Sequence, residues 1–104
     1  MLDDKIEIRS IEYDSDDYKQ SRNLRHEVLR KPWGHSITED NLDHEKNDLL
    51  LGAFSDNKLI GFGTLVWHTG YIAQVRYMAI DASWRKSGIG SRILSALEEA
   101  AQFL

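Results

Sequence analysis

The last third of the chain changes its hydrophobic period once, and the change falls at a pair of glycines. Residues 71–80 have the two-residue period of a β-strand. From about Ile89 onward, apolar residues recur at the spacing of an amphipathic helix, in a stripe formed by Ile93, Leu97, Ala100 and Leu104. A strand that enters a helix through a glycine loop is typical of crossover units, which lead to a second, parallel strand. No segment of these 104 residues follows the helix to supply that strand.

The loop between the two periods has the composition of an anion-binding site. Gly88 and Gly90 have no Cβ atom, so the backbone can approach a phosphate closely, and the helix that follows directs unpaired N–H groups at it. Three cations can add charge-assisted contacts: Arg85, Lys86 and Arg92. A lone Gly-x-Gly more often makes only a tight turn. The P-loop pattern requires a Gly-Lys-Ser/Thr ending, which is absent, and the dinucleotide-binding fingerprint requires a third glycine where Ile93 stands. These two types of phosphate-binding loop are therefore disfavoured.

Two helices are predicted in the first half of the chain. The first has candidate N-caps at residues 14–16 and extends to about Leu29, after which Pro32 and Gly34 end it. A short second helix is predicted over residues 38–46, because a threonine precedes an acidic first turn there.

Three further strands complete the predicted sheet. Residues 6–13 alternate apolar and charged side chains, and residues 49–54 and 59–67 are apolar runs joined by the turn signal Asp56-Asn57. With the strand at residues 71–80, they predict an α/β fold of the α+β type. Its sheet has about four antiparallel strands, is flanked by helices and carries the ligand site at the end of the last strand.

The strand at residues 71–80 is expected at an edge of this sheet. Regular alternation places one set of its side chains together, namely Ala73, Val75, Tyr77 and Ala79. It places the other set on the opposite face, namely Ile72, Gln74, Arg76, Met78 and Ile80. An unpaired edge exposes a row of backbone donors and acceptors. We therefore predict a homodimer that covers this edge.

Composition restricts the class of protein. The chain of 104 residues, 41% hydrophobic and 29% charged, suits one domain over residues 1–104. A net charge of −4 predicts no nucleic-acid partner and no anionic membrane partner. No apolar run approaches membrane-spanning length and the acidic start is unlike a secretory signal, so a cytoplasmic location is expected. The absence of cysteine excludes disulfides and thiolate ligands or nucleophiles. No metal site is expected, because the spacing of the four histidines puts no two of them on one helical face; they are His26, His35, His44 and His68.

Three stretches resemble the GNAT superfamily of N-acetyltransferases. Arg85-x-x-Gly88-x-Gly90, placed between a strand and a helix, is similar to the acetyl-CoA signature of that superfamily. Residues 24–34 and 76–80 are similar to a small bacterial branch of it, and the resemblance covers nearly the whole chain. It implies transfer of an acetyl group from acetyl-CoA, as co-substrate, to a primary amine of a small molecule or peptide.

The resemblance also implies which residues bind the cofactor. The strand before the loop would bind the pantetheine arm through its backbone, at Met78, Ala79 and Ile80. The loop would take the pyrophosphate, at Arg85, Lys86, Ser87, Gly88, Ile89, Gly90 and Ser91.

The acceptor side is predicted from the segment that covers it in this superfamily. His35 and Glu39 are the candidate bases there, although polar loop residues are more often ordinary surface. Trp33 either shapes the acceptor pocket or plugs the space under the loop. Arg25 and Arg30 belong to a basic cluster that either receives an acidic substrate or the CoA phosphate, or forms a solvated helix face. Arg76 is a candidate acceptor contact on a strand face that can line the cleft, and a buried arginine there needs a partner.

Complete members of the superfamily carry a further strand, a helix and a closing hairpin after the helix that this sequence ends in. Half of the cleft around the pantetheine arm would then come from elsewhere. The alternative to an active enzyme is a non-catalytic fragment of an acetyltransferase that binds CoA or associates with itself.

Overall fold

The computed structural model describes residues 6–39, 41–68 and 72–102, which form a four-stranded antiparallel sheet with helices on both faces. The strands lie side by side in chain order: β1 (Ile6–Ser10), β2 (Leu49–Ser55), β3 (Lys58–Trp67) and β4 (Ala73–Ile80). The predicted fold class, with about four antiparallel strands and flanking helices, is confirmed. Strand β1 ends at Ser10 and not at residue 13, as the alternation had suggested.

The hairpin between β2 and β3 has its tight turn at the predicted Asp56-Asn57. Both residues have positive φ angles, 50° and 65°. Two such residues in succession are typical of a type I′ turn, whose twist matches the strands that it joins. Ser55 and Lys58 pair directly across it.

Helix α1 (Asp16–Arg25) begins as predicted, with Ser15 Oγ accepting a hydrogen bond from a backbone N–H of the first turn. Beyond it the chain stays helical but widens into a π-helical turn (His26–Arg30) and then tightens into a 3₁₀ turn (Lys31–Trp33). Gly34, at a φ of 77°, ends the helical segment, since a residue without Cβ adopts this conformation readily.

The predicted second helix over residues 38–46 is wrong. Two separate 3₁₀ turns, Ile37–Glu39 and Asp43–Asn47, occupy this part of the chain. Leu42 and Glu45 are both buried and stand three residues apart, the repeat of a 3₁₀ turn. Contacts of these two side chains with the rest of the domain therefore override the local helical signal.

The sheet separates two hydrophobic cores. Helix α1 covers the first core, which contains Ile11, Tyr18, Leu24, Leu50, Phe54, Leu59, Phe62 and Ala79. Helix α2 (Ile89–Gln102) covers the second, which contains Leu51, Ala53, Ile60, Leu65, Ile89, Ile93 and Leu97. Ile93 and Leu97 are thus the inward stripe that the sequence predicted, whereas Leu104 lies outside the described residues. None of the helices in the described ranges is both long and apolar enough to cross a bilayer.

Helix α2 packs against β3 where two glycines, Gly61 and Gly63, leave the facing side of the strand without side chains. A Cβ atom on Gly61 would lie 2.8 Å from Ile93 Cδ1, and one on Gly63 would lie 3.0 Å from Ile93 Cγ2. Both distances are shorter than ordinary carbon–carbon contact. The two glycines therefore let the helix approach the strand closely.

Strand β4 contains one extra residue, at Tyr77. Phe62 of β3 pairs with Ala79 while Thr64 pairs with Arg76, so the register shifts by one residue between the two pairs. Tyr77 has a φ of 55°, in the left-handed region that bulky residues rarely adopt. This combination of register shift and unusual dihedral is a β-bulge.

The predicted alternation along β4 is wrong because of this bulge. Ala73 and Val75 pack against the α2 core, as do Met78 and Ile80 beyond the bulge. Tyr77 and Ala79 pack against the α1 core. The inserted residue moves every later side chain to the other face, so Arg76 does not share a face with Met78.

The ion pair between Arg25 and Glu45 has no exposed side-chain surface. Nη1 and Nη2 of Arg25 lie 2.8 Å and 3.1 Å from the two carboxylate oxygens of Glu45. The hydroxyl of Tyr18 donates to the same carboxylate at 2.7 Å. Burial, followed by this hydrogen bond, raises the pKa of the Tyr18 hydroxyl above its ordinary value. The ion pair therefore links the 3₁₀ turn Asp43–Asn47, which contains Glu45, to helix α1, which ends at Arg25.

Replacing Arg25 with methionine is expected to lower the free energy of unfolding by about 3–5 kcal/mol, because Glu45 is left buried without its counter-charge. The matched control is Lys31→Met, which breaks the exposed Lys31–Glu27 pair (3.4 Å) and should change stability by under about 0.5 kcal/mol. Urea unfolding followed by circular dichroism measures both variants. Equal effects would contradict a structural role for the buried pair.

Candidate cofactor and acceptor site

The loop after β4 is shaped by its own polar groups. Asp81 accepts two hydrogen bonds of 2.8 Å, from Ser83 N–H at Oδ1 and from Trp84 N–H at its carbonyl oxygen. These bonds close the 3₁₀ turn Ala82–Trp84. Two residues of the following stretch then have positive φ angles, Lys86 at 67° and Gly88 at 86°, which turns the backbone into helix α2.

A row of backbone N–H groups is unpaired where the loop enters α2. Within the described part of the chain, no acceptor meets the N–H of Lys86, Gly88, Ile89, Gly90 or Ser91. The first N–H of this helix to be bonded is that of Arg92, which donates to the Gly88 carbonyl oxygen at 3.1 Å. Unpaired N–H groups at a helix N-terminus, together with the helix dipole, favour an anion.

Two residues predicted around the phosphate have other partners. Ser87 directs both its hydroxyl and its N–H at the carbonyl oxygen of Trp84, the latter over 3.3 Å, so its amide is not available to a ligand. Arg92 donates to the Ile6 carbonyl oxygen at 3.4 Å and therefore points towards β1. The loop retains Arg85 and Lys86 as its exposed cations.

The residues with unpaired amides line a surface pocket of about 280 Å³. Its wall consists of Ile80, Trp84, Arg85, Lys86, Gly88, Ile89, Gly90 and Ser91. The side chain of Ile89 is buried in the second core, which anchors the first turn of α2, while its N–H has no acceptor among the described residues. This set of donors and cations fits a diphosphate, the group that the resemblance had implied.

The edge of β4 that does not pair with β3 leads up to this pocket, because Ile80 at the end of the strand lines it. Asp81 N–H donates to the Ile60 carbonyl oxygen of β3 at 2.8 Å. Because main-chain groups of successive strand residues point to opposite sides, the N–H and C=O of Ile80 and Met78 face the outer edge. Those of Ala79 face β3, and its side chain is buried. Of the three residues predicted to bind the pantetheine arm, Met78 and Ile80 are therefore placed to do so.

The other side of β4 carries a group of aromatic and basic side chains at the bulge. The guanidinium carbons of Arg25, Arg30 and Arg76 lie 5.3 Å, 5.9 Å and 5.2 Å from the centre of the Tyr77 ring. Sequence reasoning had named all three arginines but not Tyr77, because an aromatic residue in an alternating strand gives no sign of a bulge.

The predicted contact of Arg25 with an acceptor disagrees with the structure. Its side chain is fully buried and its two Nη atoms bind Glu45, so its role is structural and it is not accessible to an acceptor. Sequence reasoning had missed Glu45. Trp33 is 77% exposed, which rules out the plug under the loop.

The two candidate bases lie in the segment after the π-helical turn. His35 is exposed, and its N–H donates to the Arg30 carbonyl oxygen at 3.0 Å. The segment is tied to the helix beneath it by Ile37 N–H, which donates to His26 Nδ1 at 3.2 Å. Glu39 lies in a 3₁₀ turn, but its side chain is outside the described part of the structure.

Two further features border the site. A groove of about 490 Å³ between α1 and the loop contains Leu24, Glu27, Asp81 and Arg85 in its wall, so Arg85 lies between this groove and the smaller pocket. Across the described ranges, no three His, Asp or Glu side chains are grouped as metal ligands would be.

Comparison with known proteins identifies a family. The sequence model of the Acetyltransferase (GNAT) family matches residues 11–103. No curated protein matches the sequence significantly.

Solved structures share the fold at low sequence identity. PaiA N-acetyltransferase from Thermoplasma acidophilum, in complex with coenzyme A, is 22% identical with a TM-score of 0.74, and the match covers 94% of this chain and 72% of that one. A putative N-acetyltransferase from Lactobacillus plantarum is 17% identical with a TM-score of 0.80, over 95% and 68% of the two chains. An aminoglycoside acetyltransferase from an uncultured soil metagenomic sample, in complex with sisomicin, is 21% identical with a TM-score of 0.73, over 93% and 70%.

Substitution of Gly88 by alanine is expected to weaken CoA binding about tenfold or more, since the added Cβ disfavours the positive φ on which the amide row depends. Gly34→Ala is the matched control: Gly34 also has a positive φ (77°), and neither glycine has an atom within 4 Å of an added Cβ. Both variants should lose about 1 kcal/mol of stability, but only Gly88→Ala should lose CoA affinity in calorimetry. Unchanged affinity in that variant would remove the loop from the binding site.

Proposed function

Because the chain belongs to the GNAT acetyltransferase family, we propose that it transfers an acetyl group from acetyl-CoA to a primary amine of a small molecule or peptide. The observation that carries the proposal is the row of unpaired N–H groups from Gly88 to Ser91, whose residues line a pocket at the end of β4. These donors and the exposed Lys86 suit the diphosphate of CoA.

Three parts of the donor have a proposed counterpart in this chain. The amides at the start of α2 would hold the diphosphate, and Arg85 and Lys86 would balance its charge. The outward N–H and C=O groups of Ile80 and Met78 would pair with the amides of the pantetheine arm. The thioester would then lie beside the bulge at Tyr77, where a main-chain N–H can polarise its carbonyl group.

Direct transfer needs no covalent intermediate on the protein. The amine nitrogen bonds to the thioester carbonyl carbon, the carbon–sulfur bond breaks, and CoA leaves as a thiolate. An alkyl ammonium has a pKa of about 10, so the amine must first lose a proton to a base or to water. His35 and Glu39 are the proposed bases, and the thiolate takes up one proton on release.

A second candidate is a non-catalytic protein that binds CoA or associates with itself. The observation that favours it is the position of β4, which has β3 on one side and no strand on the other within the described sheet. Such an edge can pair with another chain.

Replacement of Lys86 by asparagine tests the donor site, since asparagine tolerates a positive φ and only the charge is lost. We expect affinity for acetyl-CoA, measured by calorimetry, to fall about threefold to tenfold. The matched control is Lys46→Asn, at an exposed position of a 3₁₀ turn. Thiol release with a panel of amines then separates the two candidates: binding with release supports the transferase, and binding without release supports the non-catalytic protein.

Light scattering tests the proposed homodimer. We expect the mass of the CoA-free chain to rise towards that of two chains as concentration increases, because pairing of two β4 edges satisfies the main-chain groups that the pantetheine arm would otherwise engage. Ile72→Lys, at an exposed apolar residue just before β4, should weaken this association. Leu94→Lys, at an exposed residue of α2, should not. A single-chain mass at every concentration would contradict the dimer.

A further inference from the structure

One aromatic ring on the α1 side of β4 is surrounded by three guanidinium groups. Arg25, Arg30 and Arg76 each have their guanidinium carbon within 6 Å of the centre of the Tyr77 ring. Three cations around one ring are unusual in a chain whose formal net charge is −4. Basic side chains are therefore grouped at this point while the chain as a whole is acidic.

Two irregularities of the backbone assemble this group. The π-helical turn His26–Arg30 changes the direction of side chains after α1, and Arg30 at its end reaches the Tyr77 ring. The positive φ of Tyr77 interrupts alternation in β4, so that the adjacent Arg76 lies on the same face as the ring. Both departures from regular structure lead to the same place, which is typical of functional positions.

The charges of these arginines are balanced differently. Arg25 is neutralised by Glu45, with two nitrogen–oxygen distances of 2.8 Å and 3.1 Å. Arg76 is half-buried, and no carboxylate of the described residues forms an ion pair with it. The face of Tyr77 offsets only part of the cost of partly burying a guanidinium. An anionic ligand oxygen would complete the arrangement.

We propose that the acceptor is an amine that also carries an anionic oxygen group, a carboxylate or a phosphate, and that Arg76 binds this group with Arg30 beside it. The inference rests on the proposed transferase function and names the class of acceptor. The planar guanidinium matches both anions through paired hydrogen bonds. Tyr77 lies at the bulge, so an anion held there leaves the amine of a short molecule close to the proposed thioester position.

The CoA phosphates are the competing occupant of this basic group. Arg76 precedes Ile80 by four residues, about 13 Å along an extended strand. The unpaired amides and Lys86 lie beyond that, on the far side of the loop. The diphosphate therefore has a separate site, and Arg76 remains for the acceptor.

The test compares charged and neutral amines of matched length on the full chain saturated with CoA. Binding of 4-aminobutyrate and of O-phosphoethanolamine is measured against n-butylamine and ethanolamine, by NMR of the arginine Nε–Hε signals and by calorimetry. At least one anionic probe should bind tenfold more tightly than its neutral partner and shift the Arg76 signal. Arg76→Gln should abolish that preference, Arg76→Lys should retain part of it, and Lys19→Gln, on the exposed face of α1, should retain all of it.

Three results would overturn the inference. The first is equal binding of the charged and neutral probes while CoA still binds, which leaves the transferase proposal intact. The second is a loss of CoA affinity in Arg76→Gln, which would assign the arginines to a cofactor phosphate. The third is a preference for anions that Arg76→Gln leaves unchanged. Failure of CoA to bind the unaltered chain would instead contradict the proposed function, on which the inference rests.

Discussion

The left-handed backbone of Tyr77 is the constraint from which both sides of the candidate site follow. A strand without the inserted residue would continue its alternation and place Met78 and Ile80 on the same face as Arg76. With the bulge, Met78 and Ile80 pack under α2, while Arg76 and Tyr77 face α1. An aromatic residue at a φ of 55° is costly by itself. It persists because the buried neighbours on both faces of the sheet fix the strand before and after it.

The amide row at the start of α2 depends on anchors at both of its ends. On the strand side, Asp81 bonds to Ile60 of β3 and caps the 3₁₀ turn that follows. On the helix side, Ile89 is buried in the second core with Ile93 one turn beyond it. Lys86 and Gly88, which lie between these anchors, are thus held in place without using their own N–H groups. A site of this kind is preorganised, because the donors need not be released from internal partners before a ligand binds.

Local signals predicted local structure well. The turn at Asp56-Asn57, the cap at Ser15 and the glycine loop depend on neighbouring residues, and the structure has each where the pattern indicated it. Residues 38–46 were misread because Glu45 is fixed by Arg25, twenty positions away, and no local pattern reveals that pairing. The bulge at Tyr77 was missed for a similar reason: it depends on the pairing of β4 with β3. Ser87 fits the signature by type, yet its polar hydrogens bond to Trp84, a detail that only coordinates provide.

The close packing of α2 on Gly61 and Gly63 of β3 also affects the position of the amides at the start of the helix. Ile93 lies against Gly61 and Gly63, and it is one helical turn, about 6 Å, from the first residue of the helix. Helix α2 is stiff, so a methyl group added at Gly61 or Gly63 would push against its N-terminal half and tilt the terminal amides. Substitutions at Gly61 or Gly63 could therefore change the affinity of the proposed site for a diphosphate, although neither residue belongs to that site.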